Sequence, residues 1–476
     1  MTPPTDAADI NVGDGPLTPA AFEREPFERE PFEREPFEQG WDEVDEGLVR
    51  RIREKVARGL SERHAERERD GLDRINRRDE EQLAVSLINE QLREHAKDQL
   101  NQGRPPPSTA DEAAVRKATV DLLFGLAALQ PHLERADVIN LHAEGGQPVW
   151  LDLVDGRTVR GAPIARHGDD LIEFVRELGR RVGISERRFD PDRYRINLQL
   201  PDGSRLFALG WVTREPHVFI RRHRYLDVGL GDLPATMSPL LETFLAAIVG
   251  ARMNLLIAGG MADGKTTLLR ALASEMDPGE RIVTIESDYE LALDRFPQRH
   301  REVVAMEARE ANIEGVGQVT CAQLVRDAMR TSSQRVIVGE VLGDEVVPML
   351  NAMNSGSKGS MCTLHANSSS EVFDKLALLA AQAPQRLDFP TTYALAANAV
   401  DFTIFVSRSA QGDRVVSSVR EVAGFEEGRP LANELFAPNS EGHAVPTGVP
   451  VSDRRRRSLA SAGFDPSWLS RSGEVR

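Results

Sequence analysis

Two glycines with four residues between them, followed at once by a lysine and a threonine, form the most chemically legible stretch of this sequence. Gly259-Gly260-Met261-Ala262-Asp263-Gly264-Lys265-Thr266 fits G-x-x-x-x-G-K-[ST], and Thr267 follows it. Gly259 and Gly264 admit a left-handed backbone and let N–H groups close round an anion. A helix starting near Lys265 would aim its N-terminal dipole at the same place. Lys265 would meet β- and γ-phosphates as a point charge. The Thr266 hydroxyl would ligate the Mg2+ that bridges them. Without chemistry the stretch is a Gly-rich turn. However, the apolar run 254–258 before it and the helix-forming run 267–275 after it supply the strand–loop–helix setting the motif needs. Asp263 is discordant: facing inward its carboxylate would repel phosphate, facing outward it would be harmless.

Hydrolysis needs carboxylates near the terminal phosphate. The runs 336–340 and 283–286 are apolar strands ending in Glu340 and Glu286. Ligands of open α/β sheets sit at the carboxyl ends of strands, so both acids are candidates to orient Mg2+ or polarise a water. The plain alternative for each is an exposed strand-end residue. A third run ends Thr363-Leu364-His365. A lone His there is more readily a satisfied structural side chain than a catalytic one, and Cys362 within the run reads as core packing.

These residues require a sheet to hold them. From 238 onward the apolar runs 255–258, 282–285, 336–338 and 361–364 alternate with helical stretches, the pattern of a mostly parallel sheet covered by helices. Upstream, a smaller α/β unit is expected over 112–235, with helices at 120–126 and 171–182 and strands at 149–154 and 218–220. A hairpin over 194–209 turns at Pro201-Asp202-Gly203-Ser204. Gly229, Gly231 and Pro234 mark the boundary before the C-terminal α/β domain at 236–476.

Residues 41–111 read as a charged helical extension and linker. Val44, Leu48, Ile52, Val56 and Leu60 recur every four residues, and Leu83, Leu87, Ile88 and Leu92 form a second stripe. The pair is expected as a solvated appendage, with 104–111 as the linker. Residues 1–40 carry an EREPF repeat of period five. A proline every five residues forbids a continuous helix, and the acidic composition cannot bury a core, so a disordered tail is expected, solubilising or docking to a partner.

The chain has 476 residues, of which 40% are hydrophobic, enough for about three folded units at most. The net charge is −16, and residues 1–50, with 14 acids against 4 bases, carry −10 of it. Such a balance argues against nucleic acid or an anionic membrane as the main partner. The tract Arg454–Arg457 is expected to be a solvated C-terminal face. Two cysteines rule out a disulfide scaffold and suit a reducing compartment. No apolar run approaches a membrane span and no secretory signal is visible, so a cytoplasmic location is expected, with any membrane association made through partners.

Taken in order, the phosphate loop, the Thr-Ile-Glu strand, Val338-Gly339-Glu340-Val341 and His365-Ala366-Asn367-Ser368 resemble the secretion-ATPase superfamily, the motors of type II and type IV secretion and of type IV pili. Arg309, Asn312, Glu314-Gly315, Gly317, Val319-Thr320, Leu324-Val325-Arg326, Ala352-Met353-Asn354 and Arg420–Phe425 match as well. Leu200–Arg205 and Ile220-Arg221-Arg222 resemble that family's N-terminal domain. The resemblance covers about 112–450 and is nearest to the CpaF branch, which powers Tad-type (Flp) pilus assembly. It implies a RecA-like P-loop NTPase fold, a hexameric ring, ATP and Mg2+ as cofactors, and a polytopic inner-membrane platform as partner. It makes 259–267 the Walker A loop, Glu286 part of an acidic box, Glu340 the Walker B glutamate and His365 the second His of a His box. Arg205 and Arg221 become N-domain arginines that approach the nucleotide, and Arg309, Arg326 and Arg330 fall near the ring interface.

Met261, Ala262 and Asp263 depart from the family's usual loop, which reads like GGTGSGKTT. Ser287, Leu342 and Ser357 also stand where Asp, Arg and the first His of the box are usual. The leading reading is an ATP-hydrolysing motor. The alternative is a regulatory nucleotide-binding protein with weak or no hydrolysis. A nucleic-acid motor is disfavoured by the acidity of the chain.

Overall fold

Leu48, Ile52, Val56 and Leu60 fall on one face of helix α1 (Glu46–Arg69), and that face is buried. The computed structural model describes residues 45–70, 77–123, 126–182, 188–222, 226–311 and 315–470. The acidic repeat expected over 1–40 lies outside them, as do Asn312 and Glu314. Helix α2 (Arg77–Asn101) brings Ala84, Ile88 and Leu92 against α1. A third helix, α3 (Thr109–Leu123), completes this core with Val115 and Ala118. The charged pair thus buries its apolar stripes in a small three-helix core while its other faces stay exposed, and α3 runs across the expected boundary at 112. It starts inside the expected linker because Ser108 and Asp111 form a reciprocal cap: the Asp111 N–H donates to Ser108 Oγ at 3.1 Å, and the Ser108 N–H donates to Asp111 Oδ2 at 3.1 Å.

After the short helix α4 (Gln130–Glu134) come β1 (Val138–Glu144), β2 (Val149–Leu153), β3 (Thr158–Gly161), α5 (Gly168–Val182), β4 (Arg195–Gln199), β5 (Arg205–Leu209) and β6 (His217–Arg221). The strands form one antiparallel sheet in the order β3-β2-β1-β6-β5-β4. Alternation along β5 and β6 sends Leu206, Ala208, Val218 and Ile220 into a core shared with Leu171, Val175 and Leu178 of α5. The same alternation puts Arg205 and Arg221, which are cross-strand partners, on the opposite face. The sequence pattern did not give β1 or β3.

The C-terminal part continues with α6 (Pro239–Gly250), β7 (Leu255–Gly259), α7 (Lys265–Ala273), β8 (Arg281–Glu286), β9 (Glu302–Glu307), α8 (Cys321–Ala328), β10 (Arg335–Val341), α9 (Val346–Asn354), β11 (Met361–His365), α10 (Val372–Gln382) and α11 (Phe389–Ala399). It ends with β12 (Phe402–Arg408), β13 (Arg414–Glu426), β14 (Arg429–Pro438), β15 (Ala444–Pro446) and α12 (Asp453–Ser461). Nine strands pair in the order β15-β14-β13-β12-β7-β11-β10-β8-β9. The six from β12 to β9 are parallel, and β13 to β15 are added antiparallel. Leu255 and Ile257 enter one core and Leu256 and Ala258 the other, which is why the strand reads as an unbroken apolar run. This is the RecA-like α/β arrangement. Among the described residues no helix is long and apolar enough to cross a membrane.

The arginine tract is not uniformly solvated. Arg455 on α12 is 3% exposed; its guanidinium donates to Asp401 Oδ1 at 2.8 Å and to the fully buried Glu421 at 2.9 Å. Helical spacing turns one of the four arginines inward and leaves Arg454, Arg456 and Arg457 exposed.

Candidate active site

Four neighbouring strands, β7, β11, β10 and β8, end at one edge of the nine-stranded sheet and carry there Gly259, His365, Glu340 and Glu286. Parallel pairing brings together residues that lie far apart in sequence. The loop leaving β7 turns through Ala262 at φ 62° and Gly264 at φ 95° before α7 begins at Lys265. No side chain caps that helix start. Such a start leaves its first N–H groups available to an external anion.

Lys265 is 6% exposed. Its ammonium donates to the Gly260 carbonyl at 2.8 Å and to that of Gly259 at 3.4 Å, and it meets His365 Nδ1 at 3.1 Å. Burial pulls its pKa below the ordinary lysine value; the nearby carboxylates of Glu340, Asp263 and Glu290 act the other way, and Arg221 adds to the depression. Across the imidazole, His365 Nε2 lies 2.7 Å from Glu340 Oε1. Lys265, His365 and Glu340 therefore form one continuous polar chain. Thr266 and Thr267 lie half-buried on the first turn of α7, and Met261 is 82% exposed at the loop tip.

Asp263 turns neither freely outward nor onto the helix start. Its Oδ2 accepts the Gly260 N–H at 3.0 Å within the loop, and Oδ1 pairs with Arg408 Nε at 3.4 Å.

Glu286 is buried, and its Oε1 accepts the N–H groups of Glu290 at 3.0 Å and Leu291 at 2.8 Å. Burial pushes its pKa up to about 8 despite those two bonds. The residue thus holds the segment after β8 in place. That segment meets the smaller sheet: Arg205 Nη2 lies 2.5 Å from Asp288 Oδ2, and Arg205 Nη1 lies 3.6 Å from Glu290 Oε2. Arg193 donates to the Ala311 carbonyl, Arg195 to Glu310 and Gln199 to the Tyr289 carbonyl, so the β4–β5 edge rests on the large domain. Arg221 lies close enough to Lys265 and Arg270 to lower the pKa of both.

The sequence reading did not single out Asp288, Glu290, Arg270, Arg408 or Arg414. Arg270, on the buried face of α7, donates to the carbonyls of Glu290 and Leu291. The acidic run Glu286–Glu290 was a signal that could have been used; the arginines carried none. Among the departures, Leu342 is exposed, and its N–H joins that of Gly343 on Glu345 Oε1. Ser357 is buried, its hydroxyl 3.8 Å from Met329 Sδ. Arg309 braces its own loop, donating to the Gly317 carbonyl at 2.7 Å, while Arg326 and Arg330 sit on the outer surface around α8.

In chemical terms the edge offers a cradle of N–H groups, a buried ammonium, and a carboxylate fixed by an imidazole, with two arginines from another sheet beside them. Residues 159–401 match the family described as type II/IV secretion system protein. A protein described as a putative conjugal transfer protein of Mycobacterium tuberculosis is 35% identical over 308 residues, covering 62% of this chain and 84% of the relative. The type IV secretion system protein PtlH of Bordetella pertussis is 31% identical over 334 residues, covering 64% and 95%. Among solved structures, the ATPase DotB of Legionella pneumophila aligns at 17% identity and a TM-score of 0.45, covering 64% of this chain and 82% of that one. With the family match spanning half of the chain and these relatives covered over 84% and 95% of their lengths, the chain belongs to the type II/IV secretion system protein family, within the secretion-ATPase superfamily.

Proposed function

We propose that the chain is an ATP-hydrolysing motor of a secretion or pilus-assembly machine, of the CpaF type that serves Tad (Flp) pili. The observation that carries this reading is the polar chain from Lys265 through His365 to Glu340 beside an uncapped helix start. In this reading 259–267 cradles the triphosphate and Lys265 meets its β- and γ-oxygens. Thr266 and Glu340 offer a hydroxyl and a carboxylate, the oxygen donors that suit Mg2+ beside phosphates. A cation held there would supply charge neutralisation for the phosphates.

Glu340 accepts a proton from, or orients, the attacking water, and His365 holds its carboxylate in place. Glu286 supports the loop after β8. Arg205 and Arg221 reach the γ-phosphate side from the smaller sheet, so catalysis depends on how the two domains close. A hexameric ring would pass that motion to a polytopic inner-membrane platform, with the protein on the cytoplasmic side of the membrane.

Steady-state turnover of Mg·ATP by the full chain tests this directly. Turnover that disappears in Lys265→Ala supports the motor. Nucleotide binding without hydrolysis, even with the membrane partner present, favours the regulatory alternative.

A further inference from the structure

The phosphate loop contains two residues that should weaken it. Ala262 takes a left-handed φ of 62°, a conformation sparsely populated by residues with a side chain. Asp263 adds a carboxylate to a site meant for an anion, near enough to Lys265 to act on its titration. Arg408 meets both residues, and Arg414 joins it on the first. Arg408 and Arg414 are cross-strand partners at the end of the β12–β13 hairpin. Arg408 Nε pairs with Asp263 Oδ1 at 3.4 Å, and its Nη2 donates to the Ala262 carbonyl at 3.4 Å. Arg414 Nε donates to the same carbonyl at 3.0 Å.

The hairpin is built to aim them. Its turn is closed by the Ser409 N–H on the Asp413 carbonyl at 2.7 Å, and Ser409 Oγ accepts the N–H groups of Gln411 and Asp413. The Ala410 N–H ties the turn to the Glu441 carbonyl at 3.2 Å. β12 lies directly beside β7, with Val406 opposite Gly259. A Cβ at Gly259 would strike the Val406 carbonyl, and one at Gly264 would stand 3.1 Å from Arg414 Cδ. The two glycines thus allow the hairpin and the loop to touch.

We propose that Arg408 and Arg414 are positioning residues for the nucleotide site: both hold the Ala262 carbonyl and Arg408 also neutralises Asp263, so that the loop keeps its anion-binding shape. A guanidinium suits this double task because its fork can hold a carbonyl and a carboxylate at once. The inference rests on reading the loop as a phosphate site. It adds that the C-terminal hairpin, outside the strands that bear the candidate catalytic residues, sets nucleotide affinity.

The test is a mutant cycle on the full chain, read as Mg·ADP affinity by titration calorimetry. Arg408→Ala should weaken binding about tenfold in the native loop, the scale of coupling between residues in direct contact. In a loop carrying Ala262→Gly and Asp263→Ser, which needs neither the carbonyl grip nor the charge, the same change should cost less than about twofold. Should Arg408→Ala fail to fold, Arg408→Gln closes the same cycle. Equal losses in both loops, or no loss in the native loop, overturn the proposal. If the unmodified chain binds no Mg·ADP, the phosphate-site reading falls and this inference with it; binding by the unmodified chain with equal losses overturns the clamp alone.

Discussion

His365 Nε2 stands 2.7 Å from Glu340 Oε1, at the carboxyl ends of two adjacent parallel strands. Because Nδ1 faces the Lys265 ammonium at 3.1 Å, the network assigns Nδ1 as the acceptor and Nε2 as the ring N–H donor. In that tautomer it accepts from the lysine and donates to the glutamate, fixing the direction in which Glu340 points.

The first prediction follows from this pair. Glu340→Gln should keep nucleotide binding and lower turnover by roughly 10²–10⁴, the scale of general base catalysis. His365→Ala should lower turnover by less, about 10²-fold, by letting the carboxylate move, with little change in nucleotide affinity. Turnover of the two variants and of their double mutant is the measurement. Losses that simply multiply in the double mutant would mean that the two residues do not act as one unit.

Lys265 is the second case. Removing a buried cation that would face phosphate should cost roughly 2–5 kcal/mol of nucleotide binding. Lys265→Ala should therefore lose measurable turnover while its circular dichroism stays that of the native fold. A variant that still hydrolyses ATP at the native rate would end the phosphate-loop reading.

Arg205 is already paired with Asp288, so reaching a phosphate requires exchanging that partner. Arg205→Ala and Arg221→Ala should each lower turnover of the full chain, by as much as about 10³-fold if either acts as an arginine finger. Asp288→Asn, which removes the nearer of the two carboxylates that hold Arg205, should tighten nucleotide binding. If both arginine variants turn over at the native rate, the smaller domain is an adaptor and takes no part in catalysis.

Glu286 gives a pH dependence of stability. Its pKa rises from 4.5 to about 8 on folding, so the native state holds a proton that the unfolded chain has lost between those values. The associated stability is fully present below pH 4.5 and is lost as pH rises toward about 8. Glu286→Gln keeps an acceptor for the Glu290 and Leu291 N–H groups and removes the charge. Its melting temperature should gain on the native protein from pH 5 to pH 8 and run parallel above that. Parallel curves across the whole range would show that Glu286 is ionised in the folded protein.

Arg455→Met should destabilise the chain by roughly 3–5 kcal/mol, because it leaves the fully buried Glu421 without its cation. Arg456→Met, on the exposed face of the same helix, should change stability by less than about 0.5 kcal/mol. Denaturant midpoints of the two variants measure this contrast.

Much of the site was legible because its signals are local. The phosphate loop is a contiguous pattern, and strands buried on both faces must be unbroken apolar runs, so β7, β8, β10 and β11 could be read with the residues that end them. The helical stripes of α1 and α2 were legible for the same reason. Their burial was not, because it depends on α3, a helix started by a two-residue cap in a stretch that reads as linker.

The sequence by itself determined the candidates for chemistry: Lys265 and Thr266 in a glycine loop, and Glu340, Glu286 and His365 at strand ends. Tertiary structure alone decided what each of them faces. Sheet order, which leaves no periodic trace in a sequence, set His365 between Lys265 and Glu340. Burial, which depends on the whole packed domain, turned Glu286 toward backbone N–H groups and selected Arg455 from four consecutive arginines. The packing of one sheet against another brought Arg205 to Asp288 across 83 residues, and the β12–β13 hairpin brought Arg408 and Arg414 to the loop across about 150, distances over which side-chain type carries no record of its partner.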